Sequence, residues 1–381
     1  MSAIDRSKGR YALEKLLEGI RVVLEGLVED LTAREEISGI GLFGSWSRGD
    51  AVAGSDVDLL VVDAKDFDYE YVQRARIENI FLDLDHIPEK WIHERVPPEV
   101  DQKLFETEVL YDRDGTLQQA KDLISNIYLK PARVEIRTGN YLMEADTYLS
   151  RGLSAYNKDD FQSAKVNGVI GLDAIMKILI EVNRLPISNS RFVRAVESST
   201  KRFGAPQLYD EYVKIAGLSK LPRERAEGML DSVLVMWKEA LEFFEANSAS
   251  VERLHVRVMK DLSYYCRDSF VRGLAARASS LVNDGLFAEA VHYMIRSSVS
   301  MLENFVWLVS ALEGTRLDYT ALFQNLKESK LLPKRIYEGA VEAFGIEEVS
   351  GRDVEESLGR IREIILGIRQ KRKELIVGLL S

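Results

Sequence analysis

The chain has 381 residues, a length typical of two or three domains. Its formal net charge of −10 argues against a protein that coats nucleic acid with a broadly basic surface. The single cysteine, Cys266, excludes an intramolecular disulfide and a cysteine-based zinc cluster. The first residues lack the apolar segment of a secretion signal, and the longest apolar stretches carry charges and are too short to span a membrane. We therefore expect a cytoplasmic protein that does not enter a membrane.

The first third of the chain alternates predicted helices and strands. Apolar residues recur at helical spacing over residues 11–36, which predicts a first helix. Short apolar runs predict strands at residues 40–43, 57–62, 79–88 and 108–111. Further helices are expected between them, at residues 45–51, 66–78 and 98–106. This order predicts a small α/β domain over residues 1–130, with a mixed sheet and helices around it.

Two aspartates open the predicted strand at residues 57–62. Because a strand places alternate side chains on one face, Asp56 and Asp58 are expected to point the same way. Two adjacent carboxylates repel each other unless a cation lies between them. A third carboxylate would complete a divalent-metal site, and the predicted strand at residues 79–88 offers two candidates, Asp83 and Asp85.

These residues resemble the signature of the polymerase β nucleotidyltransferase superfamily. The resemblance consists of Gly44-Ser45, a short polar stretch, Asp56-x-Asp58 and then an aspartate on a later strand. The spacing is similar to that of the minimal and the antibiotic nucleotidyltransferases. In polymerase β the third aspartate falls five residues before a proline, and the same spacing before Pro88 selects Asp83 over Asp85.

The resemblance implies a catalytic site with two divalent ions, Mg²⁺ or alternatively Mn²⁺. In it, Asp56 and Asp58 would bridge both metals. Asp83 would hold the metal that activates the acceptor hydroxyl, and could take the proton of that hydroxyl. Gly44 and Ser45 would bind the β- and γ-phosphates of a nucleoside triphosphate.

Two further residues of the same stretch, Ser47 and Arg48, are expected to contact the triphosphate. The implied reaction moves a nucleoside monophosphate to a hydroxyl acceptor and releases pyrophosphate. The analogy with minimal nucleotidyltransferases favours AMP from ATP, and the acceptor could be a protein, an RNA 3′ end or a small molecule. The alternative is a regulatory protein that binds nucleotide and uses its helices to bind a partner.

The remainder of the chain is predicted to be helical and to form two bundles, at residues 131–250 and 251–381. A pattern that begins at Arg151 recurs at Arg277, with an offset of 126 residues, which favours two copies of one bundle. The pattern resembles HEPN-type bundles, and such helices suggest a homodimer surface or a substrate platform. No histidine has an arginine at the upstream distance that HEPN ribonucleases use, so ribonuclease activity is not supported.

Overall fold

The fold is described from a computed structural model that covers residues 18–51, 55–78 and 80–380. The chain divides into two compact units, Met1–Arg133 and Val134–Ser381. The first holds a mixed sheet with helices, and the second is helical, which confirms the predicted fold class. The part of the predicted first helix that precedes Glu18 lies outside the described residues.

The first unit contains a five-stranded sheet in the order β3-β4-β2-β1-β5. Strands β2 and β4 pair in parallel, whereas β1 with β2, β1 with β5 and β3 with β4 are antiparallel. The strands are β1 (Ile37–Phe43), β2 (Val57–Asp63), β3 (Tyr71–Ile77), β4 (Ile80–Pro88) and β5 (Glu108–Asp112).

Among the described residues of the first unit, five α-helices accompany the sheet. They are α1 (Glu18–Thr32), α2 (Gly44–Arg48), α3 (Glu89–His93), α4 (Asp101–Glu106, preceded by the 3₁₀ turn Pro98–Val100) and α5 (Thr116–Ile127). Helix α1 buries Leu24 and Leu31 with Leu59 and other apolar residues of one sheet face. Helices α4 and α5 cover the other face, which includes Leu60. Since Asp58 lies two residues before Leu60 in β2, its side chain belongs to the face that α4 and α5 cover.

The predicted helix at residues 66–78 is wrong. Residues Tyr71–Ile77 form strand β3, which pairs with β4 through the register Arg74 to Asp83. A seven-residue segment gains little as an isolated helix, whereas pairing with β4 satisfies the backbone groups on the side of β3 that faces β4.

The second unit contains the long helices of the chain. They are α6 (Pro131–Tyr156), α7 (Phe161–Val182), α8 (Phe192–Arg202), α9 (Pro206–Ile215), α10 (Arg223–Ala246), α11 (Ser248–Val251), α12 (Val256–Tyr265), α13 (Asp268–Asn283), α14 (Phe287–Glu313), α15 (Leu322–Glu328), α16 (Lys334–Phe344) and α17 (Gly351–Leu380). A hydrophobic cluster extends from Ala145 to Ile368, so helices from both predicted bundles share this core. The division near residue 250, the repeat and the HEPN-like character stay predictions.

The helical unit also holds a buried ion pair between α6 and α7. The Arg137 guanidinium donates to the Glu181 carboxylate from Nε at 3.0 Å, and both side chains are almost fully buried. Within the described residues, none of the helices combines the length and the apolar character that crossing a membrane requires.

Candidate active site

Strands β2, β3 and β4 bring together carboxylates from two separate segments of the chain. Asp58 of β2 lies beside Asp83 of β4 in the parallel register. Arg74 of β3 lies opposite Asp83 on the other side of β4. The guanidinium of Arg74 contacts Asp83 Oδ2 at 2.9 Å and Asp56 Oδ2 at 3.0 Å. The structure therefore collects Asp56 and Asp83 around one cation, with Asp58 in the adjacent register position.

Both aspartates that Arg74 contacts are buried. Asp56 is 9% exposed and Asp83 is 8% exposed. Burial of an ionised carboxylate is costly unless an opposite charge or hydrogen-bond donors compensate for the lost water. Arg74 supplies one positive charge, while Asp56, Asp58 and Asp83 together carry three negative charges when ionised. Carboxylate oxygens are the ligands that Mg²⁺ prefers, so this set of donors fits a divalent ion.

Gly44 brings the backbone of the β1–α2 turn against Asp58. Its φ of +74° is in the left-handed region, which glycine adopts without strain. A Cβ atom at this position would lie only 2.3 Å from Asp58 Oδ2. Any larger residue would therefore have to displace the Asp58 carboxylate. The glycine of the predicted motif thus packs directly against one of the two neighbouring aspartates.

Helix α2 begins at Gly44, and two of its side chains contact Glu106 of α4. The Ser47 hydroxyl donates to the backbone carbonyl of Glu106, and the Arg48 guanidinium forms an ion pair with the Glu106 carboxylate. Burial raises the pKa of Glu106, although Arg48, Gln102 and the Gly44 backbone favour its charged form. Ser47 and Arg48 thus pack α2 against α4, and their contacts with a triphosphate stay predictions.

Asp85 lies in a separate ion pair. Its Oδ2 atom accepts from Lys103 Nζ at 2.5 Å, and Lys103 also contacts Glu70. Burial alone would lower the pKa of Lys103, but the two carboxylates raise it above its usual value, so the ammonium stays charged. Asp83 and not Asp85 shares a cation with Asp56, which favours Asp83 as the third carboxylate.

Three charged residues of this site were not predicted from the sequence. Arg74 lies in the segment that was expected to be a helix, although the β-forming residues Tyr71, Val72 and Ile77 were a signal for a strand. Lys103 and Glu106 are on α4, and no sequence pattern indicates that this helix faces the carboxylates.

A second group of potential metal ligands lies on the surface of the same unit. Single ligand atoms of Glu89, His93 and Asp114 are all within 4.8 Å of one another. The Nε2 atom of His93 is 3.9 Å from Glu89 Oε1, one helical turn away on α3. His93 and Asp114 are exposed to solvent, and Arg113 approaches Glu89 at 3.8 Å. The negative charges of this group therefore do not require a metal ion.

Comparison with known proteins identifies the first unit. Residues 24–123 match the family model described as nucleotidyltransferase domain. No curated protein matches the chain. A solved structure of a nucleotidyltransferase-like protein from Exiguobacterium sibiricum is 12% identical, with 84% of this chain and 87% of that chain covered and a TM-score of 0.31. That likeness is too low to support fold or function. The segment that resembles a nucleotidyltransferase domain includes Gly44, the three aspartates and Arg74.

Proposed function

We propose that the chain is a metal-dependent enzyme that transfers a nucleoside monophosphate, AMP from ATP, to a hydroxyl acceptor. The observation that carries this proposal is the convergence of Asp56 and Asp83 on one cation, with Asp58 held against Gly44. Three carboxylates at one end of the sheet form an oxygen-rich site for divalent ions. The match of residues 24–123 to the nucleotidyltransferase domain supports the reaction class.

The aspartates have separate roles in the proposed reaction. Asp56, Asp58 and Asp83 would hold Mg²⁺, with Mn²⁺ as a substitute, and the bound ions would neutralise the charge that develops on the transferred and leaving phosphates. Asp83 would also accept the proton of the acceptor hydroxyl as that oxygen attacks the α-phosphate. Pyrophosphate is the leaving group, so the α-phosphate exchanges one P–O bond for another.

The β1–α2 turn would bind the phosphates. Gly44 has no side chain, so the backbone N–H groups at Gly44 and Ser45 can approach the β- and γ-phosphate oxygens closely. Arg48 would supply a positive charge once the triphosphate competes with Glu106 for its guanidinium. The roles of Ser45, Ser47 and Arg48 follow from their position on α2, directly after the glycine.

The acceptor would be selected outside the carboxylate site. Protein, RNA 3′ ends and small molecules all carry hydroxyl groups that this chemistry can use. We assign acceptor selection to the helical unit, because the described residues of the first unit already supply the proposed metal and phosphate contacts. A homodimer through the helical unit remains part of the proposal.

A labelling assay tests the function directly. The wild-type protein is incubated with each of the four nucleoside triphosphates, labelled at the α-phosphate, with Mg²⁺ and a cell extract as the source of acceptors. We expect label to move from ATP to a discrete acceptor, and the double variant Asp56→Asn/Asp58→Asn to lower the transfer rate by about a hundredfold or more.

The matched control is Asp66→Asn, since the Asp66 side chain is 96% exposed and pairs with the surface residue Lys90 at 3.0 Å. This variant should transfer label at the wild-type rate. Nucleotide binding without transfer to any acceptor would instead support the regulatory alternative and overturn the enzymatic proposal. Wild-type transfer by the double variant would show that Asp56 and Asp58 are not catalytic residues.

A further inference from the structure

Arg74 is a buried arginine within the sheet of the first unit. Its side chain is only 2% exposed, and its guanidinium contacts Asp56, which directly precedes β2, and Asp83 of β4. The contact with Asp83 uses both carboxylate oxygens, at 3.1 Å and 2.9 Å from Nη1. The contact with Asp56 uses Oδ2, at 3.0 Å from Nη2. The arginine therefore contacts three of the four oxygen atoms that these two carboxylates could offer to a shared metal.

The sheet fixes Arg74 in this place. Strand β3 pairs with β4 from Tyr71 to Ile77, which puts the Arg74 backbone directly opposite Asp83. The guanidinium also lies over the Phe81 ring, 5.3 Å from its centroid, so one side of the cation contacts an aromatic surface. A buried, paired arginine does not lose its proton, so its positive charge is permanent under ordinary conditions.

The other cations near this face are paired with different carboxylates. Lys103 contacts Asp85 and Glu70, and Arg48 contacts Glu106 and Asp50. Neither contact involves Asp56 or Asp83. Within the part of the chain that the structure describes, Arg74 is thus a cation placed to compete with a metal for both ligands.

We propose that Arg74 makes metal binding at this site depend on nucleotide. Without nucleotide, its guanidinium occupies Asp56 and Asp83 and keeps the affinity for free divalent ions low. A triphosphate offers the guanidinium other anionic oxygens, and its charge also attracts the metal, so the exchange of Arg74 for a metal becomes favourable only when nucleotide is present. This inference rests on the proposed function and adds a positioning and gating residue to it.

Direct measurement of Mn²⁺ binding tests the inference without an activity assay. Free Mn²⁺ is followed by electron paramagnetic resonance during titration of the protein alone and of the protein with a triphosphate analogue that cannot be cleaved at the α-phosphate. The Mn²⁺ that the analogue binds by itself is measured separately and subtracted. For the wild type we expect weak binding alone and much tighter binding with the analogue. For Arg74→Gln we expect binding without nucleotide to tighten by about tenfold or more, because two buried carboxylates lose their partner.

Two variants control for side effects. Arg76→Gln removes an exposed arginine from the same strand, whose Nε atom donates to the Glu78 carbonyl, and should bind Mn²⁺ as the wild type does. Adding Asp56→Asn to Arg74→Gln should abolish the gain, which would place the bound ion at this site. If Arg74→Gln does not fold, Arg74→Lys decides, since one ammonium cannot span both carboxylates in the same way and should give an intermediate gain.

The outcomes separate this inference from the proposed function. Equal Mn²⁺ affinity of the wild type and the Arg74 variants without nucleotide would overturn the role of Arg74 even if α-phosphate transfer is observed. Failure of every variant to bind Mn²⁺ with or without nucleotide would overturn the metal site itself, and with it the proposed function. The gating role would also be refuted if the wild type bound Mn²⁺ with the same affinity in the presence and absence of the triphosphate analogue.

Discussion

Replacing Gly44 with alanine tests the link between the β1–α2 turn and the carboxylate site. The residue has φ +74°, and an added Cβ would lie 2.3 Å from Asp58 Oδ2, well inside normal contact. Gly49, at the other end of α2, has the same φ of +74°, but a Cβ there would meet nothing within 4 Å. The two substitutions therefore share the backbone strain and differ only in the collision with Asp58.

The expected magnitudes follow from these two contributions. An alanine in the left-handed region costs about 1–2 kcal/mol, so Gly49→Ala should lower the free energy of unfolding by about that amount. Gly44→Ala has the same cost, and displacement of a packed group adds roughly 1–3 kcal/mol. In addition, only Gly44→Ala moves the Asp58 carboxylate, so only this variant should lose most of its Mn²⁺ binding and nucleotidyl transfer.

Urea unfolding followed by tryptophan fluorescence measures the stability difference, and Trp46 on α2 lies next to the perturbed turn. Mn²⁺ titration in the presence of the triphosphate analogue measures the site. The reasoning would be refuted if Gly44→Ala matched Gly49→Ala in both stability and metal binding. It would also be refuted if Gly49→Ala abolished metal binding as strongly as Gly44→Ala.

Three further experiments test separate parts of the structure. Asp83→Asn should lower nucleotidyl transfer by about a hundredfold or more, whereas Asp85→Asn should affect stability much more than transfer; the reverse order in the labelling assay would assign the third carboxylate to Asp85. Arg137→Met should reduce the free energy of unfolding by about 3–5 kcal/mol, because it leaves the Glu181 charge buried without its partner; a loss under 1 kcal/mol in urea unfolding would contradict this. Burial raises the pKa of Cys266 to about 12, so the native thiol should not react with Ellman's reagent between pH 7 and 9 and should react fully in urea; rapid reaction of the native protein would show that this cysteine is accessible.

The strands that hold the aspartates were predictable because strand periodicity is a local property. Alternation over two residues places Asp56 and Asp58 on one side, and it does the same for Asp83 and Asp85. The structure forms strands β2 and β4 at the predicted segments. Gly44 was also identifiable, because the turn that leaves β1 requires a conformation that few other residues adopt.

Strand β3 was not predictable in the same way. Its residues include Arg74 and Arg76 between Tyr71 and Ile77, and the polar content made a helix plausible. The segment becomes a strand because the edge of β4 offers hydrogen bonds along seven residues, an interaction with a partner that lies after it in the chain. Local residue propensities do not predict such pairing, since the free energy that stabilises the strand comes from its contacts with another segment.

The sequence alone predicted the reaction class, through a glycine turn and aspartates whose spacing is a local feature of strands and turns. The spacing before Pro88 favoured Asp83, although Asp83 and Asp85 share one face of β4. Only the tertiary structure showed that Asp83 shares a cation with Asp56, because the order β3-β4-β2 places Arg74 opposite Asp83 and within reach of Asp56. The same order revealed a buried guanidinium between the two carboxylates, a contact that depends on neighbouring strands and therefore on the whole sheet.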